Sequence, residues 1–289
     1  MVYLPKFFSM KVVRTAAELN QEVANQRKDG QTIGFVPTMG ALHVGHISLV
    51  NKCLNDGCYT VCSIFVNPTQ FNDKNDLKNY PRMPEQDLAL LEERGVHLVF
   101  MPSVEEMYPE TDTRTFDFGS IDKVMEGAKR PGHFNGVAQV VSKLFAMVQP
   151  DRAYFGEKDF QQVAVINAMV KQLGFKVEIV RCPIVRDTDG LALSSRNMLL
   201  NPTQRASAPN IYKALSDAKQ VGSSISIEEI KEKVVAQVNT NSELEVEYFD
   251  VVDADSLQSL SSWEESNNIF GCIAVKVGAI RLIDNIRLK

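Results

Sequence analysis

The chain has 289 residues, 44% of them apolar and 23% charged, which is the balance of an ordinary water-soluble globular protein with room for one large or two modest domains. A net charge of −5 weighs against a nucleic-acid binder, and no apolar run reaches membrane-spanning length, so neither nucleic acid nor membrane is an expected partner. The five cysteines form no C-x-x-C and sit mostly in apolar runs, so they read as buried thiols of a reducing compartment. The amino-terminal stretch MVYLPKFFSMKVV lacks the long apolar centre of a signal peptide, and the expected location is cytoplasmic.

Residues 12–27 read as a polar-faced helix with Thr15 as its N-cap. The apolar run 32–36 suits a buried strand. It leads into PTMGALHVGH, Pro37 to His46, and then into Ile47, Leu49, Val50, Cys53 and Leu54, whose spacing gives a helix one apolar face. This is a strand-to-helix turn. Gly40 and Gly45 let backbone approach a ligand, and the first helical turn offers unpaired N–H groups and the positive end of the helix dipole to phosphate. His43 and His46, three residues apart, place two imidazoles on one side of that turn. A zinc site is set aside, because no third ligand has a metal-like spacing and H-E-x-x-H is absent.

Residues 59–67 form a β-branched and aromatic run suited to an interior parallel strand. It ends in Asn67-Pro68-Thr69-Gln70-Phe71, at the strand end where open α/β sheets bind ligands. Asn67 and Gln70 are candidate amide contacts there, with turn formation and helix capping the alternative. Helix 84–94, stopped by Gly95, precedes strand 96–101, in which His97 reads as structural. The less regular stretch 121–134 holds Lys129-Arg130-Pro131-Gly132-His133-Phe134, which could meet an anionic ligand or form a solvated basic loop. Helix 137–148 and strand 153–155 lead to Gly156-Glu157-Lys158-Asp159, which opens helix 160–173. Lys158 there could meet phosphate as a point charge, and Gln162 lies one turn on.

Strand 177–185 runs into the turn Asp187–Gly190 and then Leu193-Ser194-Ser195-Arg196-Asn197, two hydroxyls and a guanidinium suited to phosphate oxygens. Alternation of strand and helix from 32 to 185 predicts a doubly wound parallel sheet. Beyond it, Asn201-Pro202 caps a helix expected over 203–221. A second helix covers 227–238, and strands cover 245–252, 269–277 and 279–283, the last two pairing across Gly278. The expected organisation is α/β: a Rossmann-like catalytic domain, 1–186, followed by a smaller α+β domain with antiparallel strands, 187–289, serving as its lid.

The H-x-G-H of His43 to His46 resembles the signature of the nucleotidylyl-transferase superfamily, with Leu193-Ser194-Ser195-Arg196 at the place of its second phosphate loop, although K-M-S-K-S is absent. The fuller set resembles the pantoate–β-alanine ligase family: PTMGALHVGH, SIFVNPTQF, YPR, RPGHFNGV, FGEKDFQQ, DGLALSSRN and RLIDN at Arg281 to Asn285. That resemblance implies an ATP-dependent condensation of (R)-pantoate with β-alanine to pantothenate, AMP and diphosphate, through a pantoyl adenylate. It implies His43 and His46 on the phosphates, with His46 as proton donor, and Lys158, Ser194, Ser195 and Arg196 on the α-, β- and γ-phosphates. Lys158 and Arg196 join the two histidines as the catalytic set. It further implies Met39, Gly40, Gly156, Asp159, Val185 and Leu193 around the rest of ATP, and Gln70 and Gln162 on pantoate with Asn67 completing the pocket. Arg130 and His133 match positions near the reacting end. Magnesium is implied on the phosphates with Asp87 as the acidic contact, and the implied assembly is a homodimer. Two competing readings are a nucleotidyltransferase that moves a nucleotidyl group to a phosphate acceptor, and a regulatory nucleotide-binding module. The glutamines argue against the first, and intact His43, His46, Lys158 and Arg196 against the second.

Overall fold

The computed structural model describes residues 9–289; the first eight, part of the stretch read for a signal peptide, lie outside the described residues. The chain packs as two units, each assembled from several segments. One contains the residues up to Phe116 with Asn135–Phe155 and Met169–Cys182; the other contains Asp117–Phe134, Gly156–Ala168 and Pro183–Lys289.

The first unit is built on a six-stranded parallel sheet of β1 (Lys11–Val13), β2 (Ile33–Thr38), β3 (Tyr59–Ile64), β4 (Leu98–Phe100), β5 (Arg152–Gly156) and β6 (Glu178–Cys182), in the order β1-β4-β3-β2-β5-β6. The order reverses between β2 and β5, which hydrogen-bond in parallel at Gly34–Arg152 and Phe35–Ala153. Ligands of doubly wound sheets bind beyond the carboxyl ends at such a reversal, and residues 39–46 leave β2 there. The period of two along each strand divides the core. Val36, Cys62, Val99 and Tyr154 bury one face with Ile47, Val50 and Cys53 of helix Val44–Asn55 and with Leu91 of helix Pro84–Glu93. On the other face, Phe35 and Phe155 meet Phe145 of helix His133–Val148 edge-on, with centroids at 6.3 and 6.4 Å. All five cysteines are free and buried, as their apolar settings predicted.

The second unit carries the antiparallel sheet β7 (Leu244–Asp253), β8 (Ile269–Val277) and β9 (Ile280–Arg287). Val251, Ile273, Val275 and Leu282 pack on Ile211 and Leu215 of helix Asn210–Val221 and on Ile230 and Val234 of helix Ile227–Asn239. The opposite face, with Val252, Phe270 and Cys272, takes Met125 and Phe160, and Phe160 stacks on Phe270 at 4.4 Å.

The fold class is the expected α/β with a separate antiparallel sheet, and local boundaries differ where a competing signal won. The helix expected from residue 12 begins at Ala16, capped by Thr15, because Val12 and Val13 lie in β1 against β4. The helix expected over 203–221 is two, Pro202–Ser207 and Asn210–Val221, because Pro209 lacks the N–H that a continuous helix needs. Strand β3 stops at Ile64, and Asn67 instead caps a 3₁₀ turn at Pro68–Gln70.

Candidate active site

His43 is the N-cap of the helix that follows β2. Its Nδ1 accepts from the Gly45 N–H at 3.1 Å, while its own N–H donates to His46 Nδ1 at 3.3 Å. The two rings lie 4.1 Å apart, tilted by 40°. An accepting Nδ1 carries no proton, so in each neutral ring the proton is on Nε2. Backbone capping thus makes both imidazoles Nε2–H donors at a helix N-terminus, where anions are favoured. The preceding turn is tied down by Asp87, whose two oxygens accept the Ala41 and Leu42 N–H groups at 2.9 and 2.7 Å. Gly40 has φ +77°, and a Cβ on it would sit 2.9 Å from Asp87 Oδ2, so this position needs glycine. Ala41 has φ +49°, a left-handed conformation that a side chain occupies at a cost. Asp87 is 3% exposed, and burial raises its pKa against the pull of the two N–H groups.

Asn67 is buried, and its amide is fully engaged. Its Oδ1 accepts from the Tyr108 hydroxyl at 2.8 Å and from Thr69, and its Nδ2 donates to Gly136 O and Gln70 Oε1, both at 3.2 Å. Gln70 Nε2 in turn reaches Met39 Sδ at 3.0 Å. A Cβ on Gly136 would meet Thr69 O at 2.5 Å, so the close approach of helix and loop also requires glycine. Asn67 therefore orients Gln70, and Met39 lies beside Gln70 in the first unit. His97 accepts the Thr60 N–H at 3.0 Å and stacks on Tyr59, and burial lowers its pKa; this is the structural role expected of it.

In the second unit, a cleft enclosing about 410 Å³, part of it open to solvent, is lined by Lys158, Asp159, Gln162, His133, Asp284 and Asn285, among others. Lys158 is four-fifths buried, with its Nζ 3.9 Å from Asp159. Gln161, next to Gln162, is 3% exposed; its Oε1 accepts the Glu126 N–H and its Nε2 donates to the Ile121 and Val124 carbonyls, so it fastens the 121–126 segment. Arg130 Nη1 lies 3.0 Å from His133 Nε2. A guanidinium only donates, so Nε2 is the accepting atom and Nδ1 carries the His133 proton.

The segment expected to meet phosphate is set on a hairpin. Leu193 N–H donates to Val185 O at 3.0 Å, Arg186 bridges to Ala192, and Gly190 turns the chain with φ +92°. Arg205 bridges Asp187 and Asp189 at 2.8 and 2.5 Å. Ser194 caps the following 3₁₀ turn, accepting the Arg196 N–H at 3.3 Å, and Ser195 is buried. A second, smaller cavity brings Ser194 and Lys158 together with Asn197, whose amide oxygen is buried without a hydrogen-bond partner.

Within each unit the site residues named from sequence thus gather: Met39, Gly40, His43, His46, Asn67, Gln70 and Asp87 in the first, and Arg130, His133, Gly156, Lys158, Asp159, Gln162, Val185 and Leu193–Arg196 in the second. Glu126, Arg186, Arg281, Asp284 and Asn285 were not named as site residues. The RLIDN motif held three of them, but a motif alone does not say what its side chains touch. Among the described residues no group of three or more His, Cys, Asp or Glu is placed to hold a metal, and no helix is long and apolar enough to cross a membrane.

The family model of pantoate-beta-alanine ligase matches residues 11–287. Pantothenate synthetase of Porphyromonas gingivalis is 56% identical over 97% of this chain and 100% of its own length, and that of Bacteroides thetaiotaomicron is 54% identical over 97% and 99%. The crystal structure of pantothenate synthetase from Thermus thermophilus superposes with a TM-score of 0.91 at 45% identity, covering 96% of this chain and 99% of that one. The Francisella tularensis pantoate-beta-alanine ligase, crystallised with beta-gamma ATP and beta-alanine, gives 0.81 at 36% identity, covering 97% and 98%. With its two glycine-bound turns, its imidazole pair and a match along nearly its whole length, the chain belongs to the pantoate–β-alanine ligase family.

Proposed function

We propose that this chain joins pantoate to β-alanine at the expense of ATP, through a pantoyl adenylate. A pantoate carboxylate oxygen bonds to the α-phosphorus and diphosphate leaves. The β-alanine amine then attacks the acyl carbon, loses a proton and expels AMP, leaving the amide. The first step brings two anions together, so it depends on positioning and on donors aimed at the growing charge. The observation that carries this reading is the helix start at His43–His46, whose capping leaves two Nε2–H donors, in a chain matched to the ligase family along residues 11–287. Each such donor is worth about 3 kcal/mol of barrier.

In this reading His43 and His46 serve the phosphates and His46 supplies a proton. Lys158, Ser194, Ser195 and Arg196 hold the phosphate chain, and Met39, Gly40, Gly156, Asp159, Val185 and Leu193 surround the rest of the nucleotide. Gln70 and Gln162 hold pantoate, Asn67 acts through Gln70, and Arg130 and His133 stand near the reacting end. The donor set does not fit a protein-held magnesium: both Asp87 oxygens are committed to backbone N–H groups and no carboxylate cluster surrounds it among the described residues. Magnesium would then arrive on the ATP phosphates, with Asp87 acting on the loop. Residues 1–186 as catalytic body and 187–289 as lid, a homodimer and a cytoplasmic location belong to the same reading.

The test is diphosphate release from magnesium-ATP and pantoate, with and without β-alanine. The expected result is one stoichiometric burst with pantoate alone and continuous release once β-alanine is added. Sustained release without the amine points to a nucleotidyltransferase, and no release in either case sinks the ligase reading. Replacing Gln70 by Ala is expected to raise the KM for pantoate about tenfold, as loss of a hydrogen bond in a polar pocket does, with a smaller effect on ATP. Equal losses for both substrates would remove Gln70 from the acid pocket.

A further inference from the structure

Strand β9 carries three polar side chains that the reaction itself does not require, and each ends on a segment bearing a proposed active-site cation or phosphate contact. Asn285 is 3% exposed and its Nδ2 donates to the carbonyls of Glu157 and Lys158, at 2.9 and 3.1 Å. Those carbonyls belong to a 3₁₀ turn whose N-cap, Gly156, offers no side-chain bond, so no capping side chain of its own holds the turn. Asn285 is itself fixed from behind. Its N–H donates to Asp284 Oδ1 at 2.7 Å, and Asp284 receives both arms of Arg186 at 2.6 and 2.9 Å. The Arg186 guanidinium lies 3.8 Å over Tyr212, whose ring also abuts Gly190 of the hairpin turn.

At the other end of the strand, Arg281 meets both oxygens of buried Glu126 at 2.6 and 2.7 Å. Glu126 also accepts the Tyr248 hydroxyl at 2.8 Å and lies 3.7 Å from Arg130, three residues before His133. A bulge between Val246 and Tyr248 lets two successive residues serve this cluster. Glu247 grips Arg281 at 2.6 Å while Tyr248 reaches Glu126, although neighbours on a regular strand point to opposite faces. Arg281 and Asn285, four residues apart, share one face of β9 and hold two separate segments on it.

We propose that β9 is a positioning strand, in which Asn285 sets the placement of Lys158 and Arg281, through Glu126, sets that of Arg130. The proposal rests on the reading of Lys158 and Arg130 as active-site cations. Displacement of a catalytic group by about 1 Å costs on the order of 10²-fold, and a donor facing two carbonyls has no substitute when removed.

Double-mutant cycles on steady-state diphosphate release from ATP and pantoate in the presence of β-alanine test it. Asn285→Ala is expected to lower kcat about 100-fold in the wild-type background and less than about twofold in Lys158→Ala, because the group it positions is already gone. Arg281→Lys, which keeps the charge and loses the fork, is expected to cost about tenfold alone and little in Arg130→Ala. Asn285→Ser, which keeps one donor, is expected to recover part of the rate, and it decides the matter if the alanine variant does not fold. Arg287→Ala, on the same strand with its guanidinium on the Lys289 carbonyl, is the control and keeps wild-type activity. Equal losses in both backgrounds, or an Asn285→Ala enzyme at the wild-type rate, overturn the proposal. A Lys158→Ala enzyme at the wild-type rate overturns instead the assignment of Lys158 on which it rests.

Discussion

The two helix starts that carry the proposed phosphate contacts are held in opposite ways. At His43–His46 the proposed catalytic side chains are their own caps: each imidazole satisfies a backbone N–H of the same turn, and Asp87 ties the two residues before it. At Glu157–Asp159 the turn has no side-chain cap and is gripped by Asn285 from a strand more than a hundred residues later. A self-capped start fixes ring tautomer and orientation together, so position and chemistry cannot be separated by mutation. A start held from outside separates them: in the proposed reading Lys158 meets the phosphates, while Asn285 holds the turn that carries it.

The comparison is sharpened most by removing Lys158. Lys158→Ala is expected to slow adenylate formation by about 10³-fold or more, with an unchanged thermal unfolding midpoint, since in the proposed reading its charge acts on the transition state while the turn is held through backbone carbonyls that alanine keeps. A large drop in the unfolding midpoint would make Lys158 structural and erase the contrast. His43→Ala should do the reverse and damage both properties. The rate is expected to fall about 10²- to 10³-fold, and chemical denaturation should show a loss of about 1 kcal/mol from the missing cap. Asp87→Asn is smaller still. An amide can accept only one of the two N–H groups, so about 1 kcal/mol of stability should go and the KM for ATP rise, both measurable on one preparation.

The smallest effect lies away from both starts and calibrates them. Asp253 closes the loop after β7, accepting from Ser256 and Ser266, and these bonds lower its pKa to about 2. A carboxylate with a lowered native pKa stabilises above its unfolded value, and that contribution fades as pH falls through the native one. Wild type should therefore exceed Asp253→Asn in stability at about pH 5, with the difference shrinking as the pH approaches about 2. A gap that stays constant over that range would show that the bonds do not depend on its charge.

Legibility from sequence followed the same division. The run from β2 to His46 could be read as a phosphate-facing turn because everything that fixes it, save Asp87, lies nearby in the chain and obeys strand and helix periods. Thr15, Asn201 and Ser226 were similarly decided by neighbours three residues on, and the first two were read as N-caps. Asn67 was open between ligand contact and turn formation, because only the folded chain shows its amide spent on Tyr108, Gly136 and Gln70. Pro209 was passed over as a helix break for a different reason: the apolar period continues across it, and the steric rule against proline overrode the pattern.

Residue periodicity, glycine placement and local capping were enough to set the fold class, the order of elements and the imidazole pair, since these depend on interactions between residues near in the chain. The contacts of RLIDN with the Lys158 turn and, through Glu126, with Arg130, the acceptance of two backbone N–H groups by Asp87, and the bulge that turns Glu247 and Tyr248 to one cluster were decided in tertiary structure. Each joins groups separated by between about 45 and 155 residues, or requires a break in the strand period. Hydrogen bonds and ion pairs of that kind are specified by where two surfaces meet, and no local pattern in either partner encodes the other.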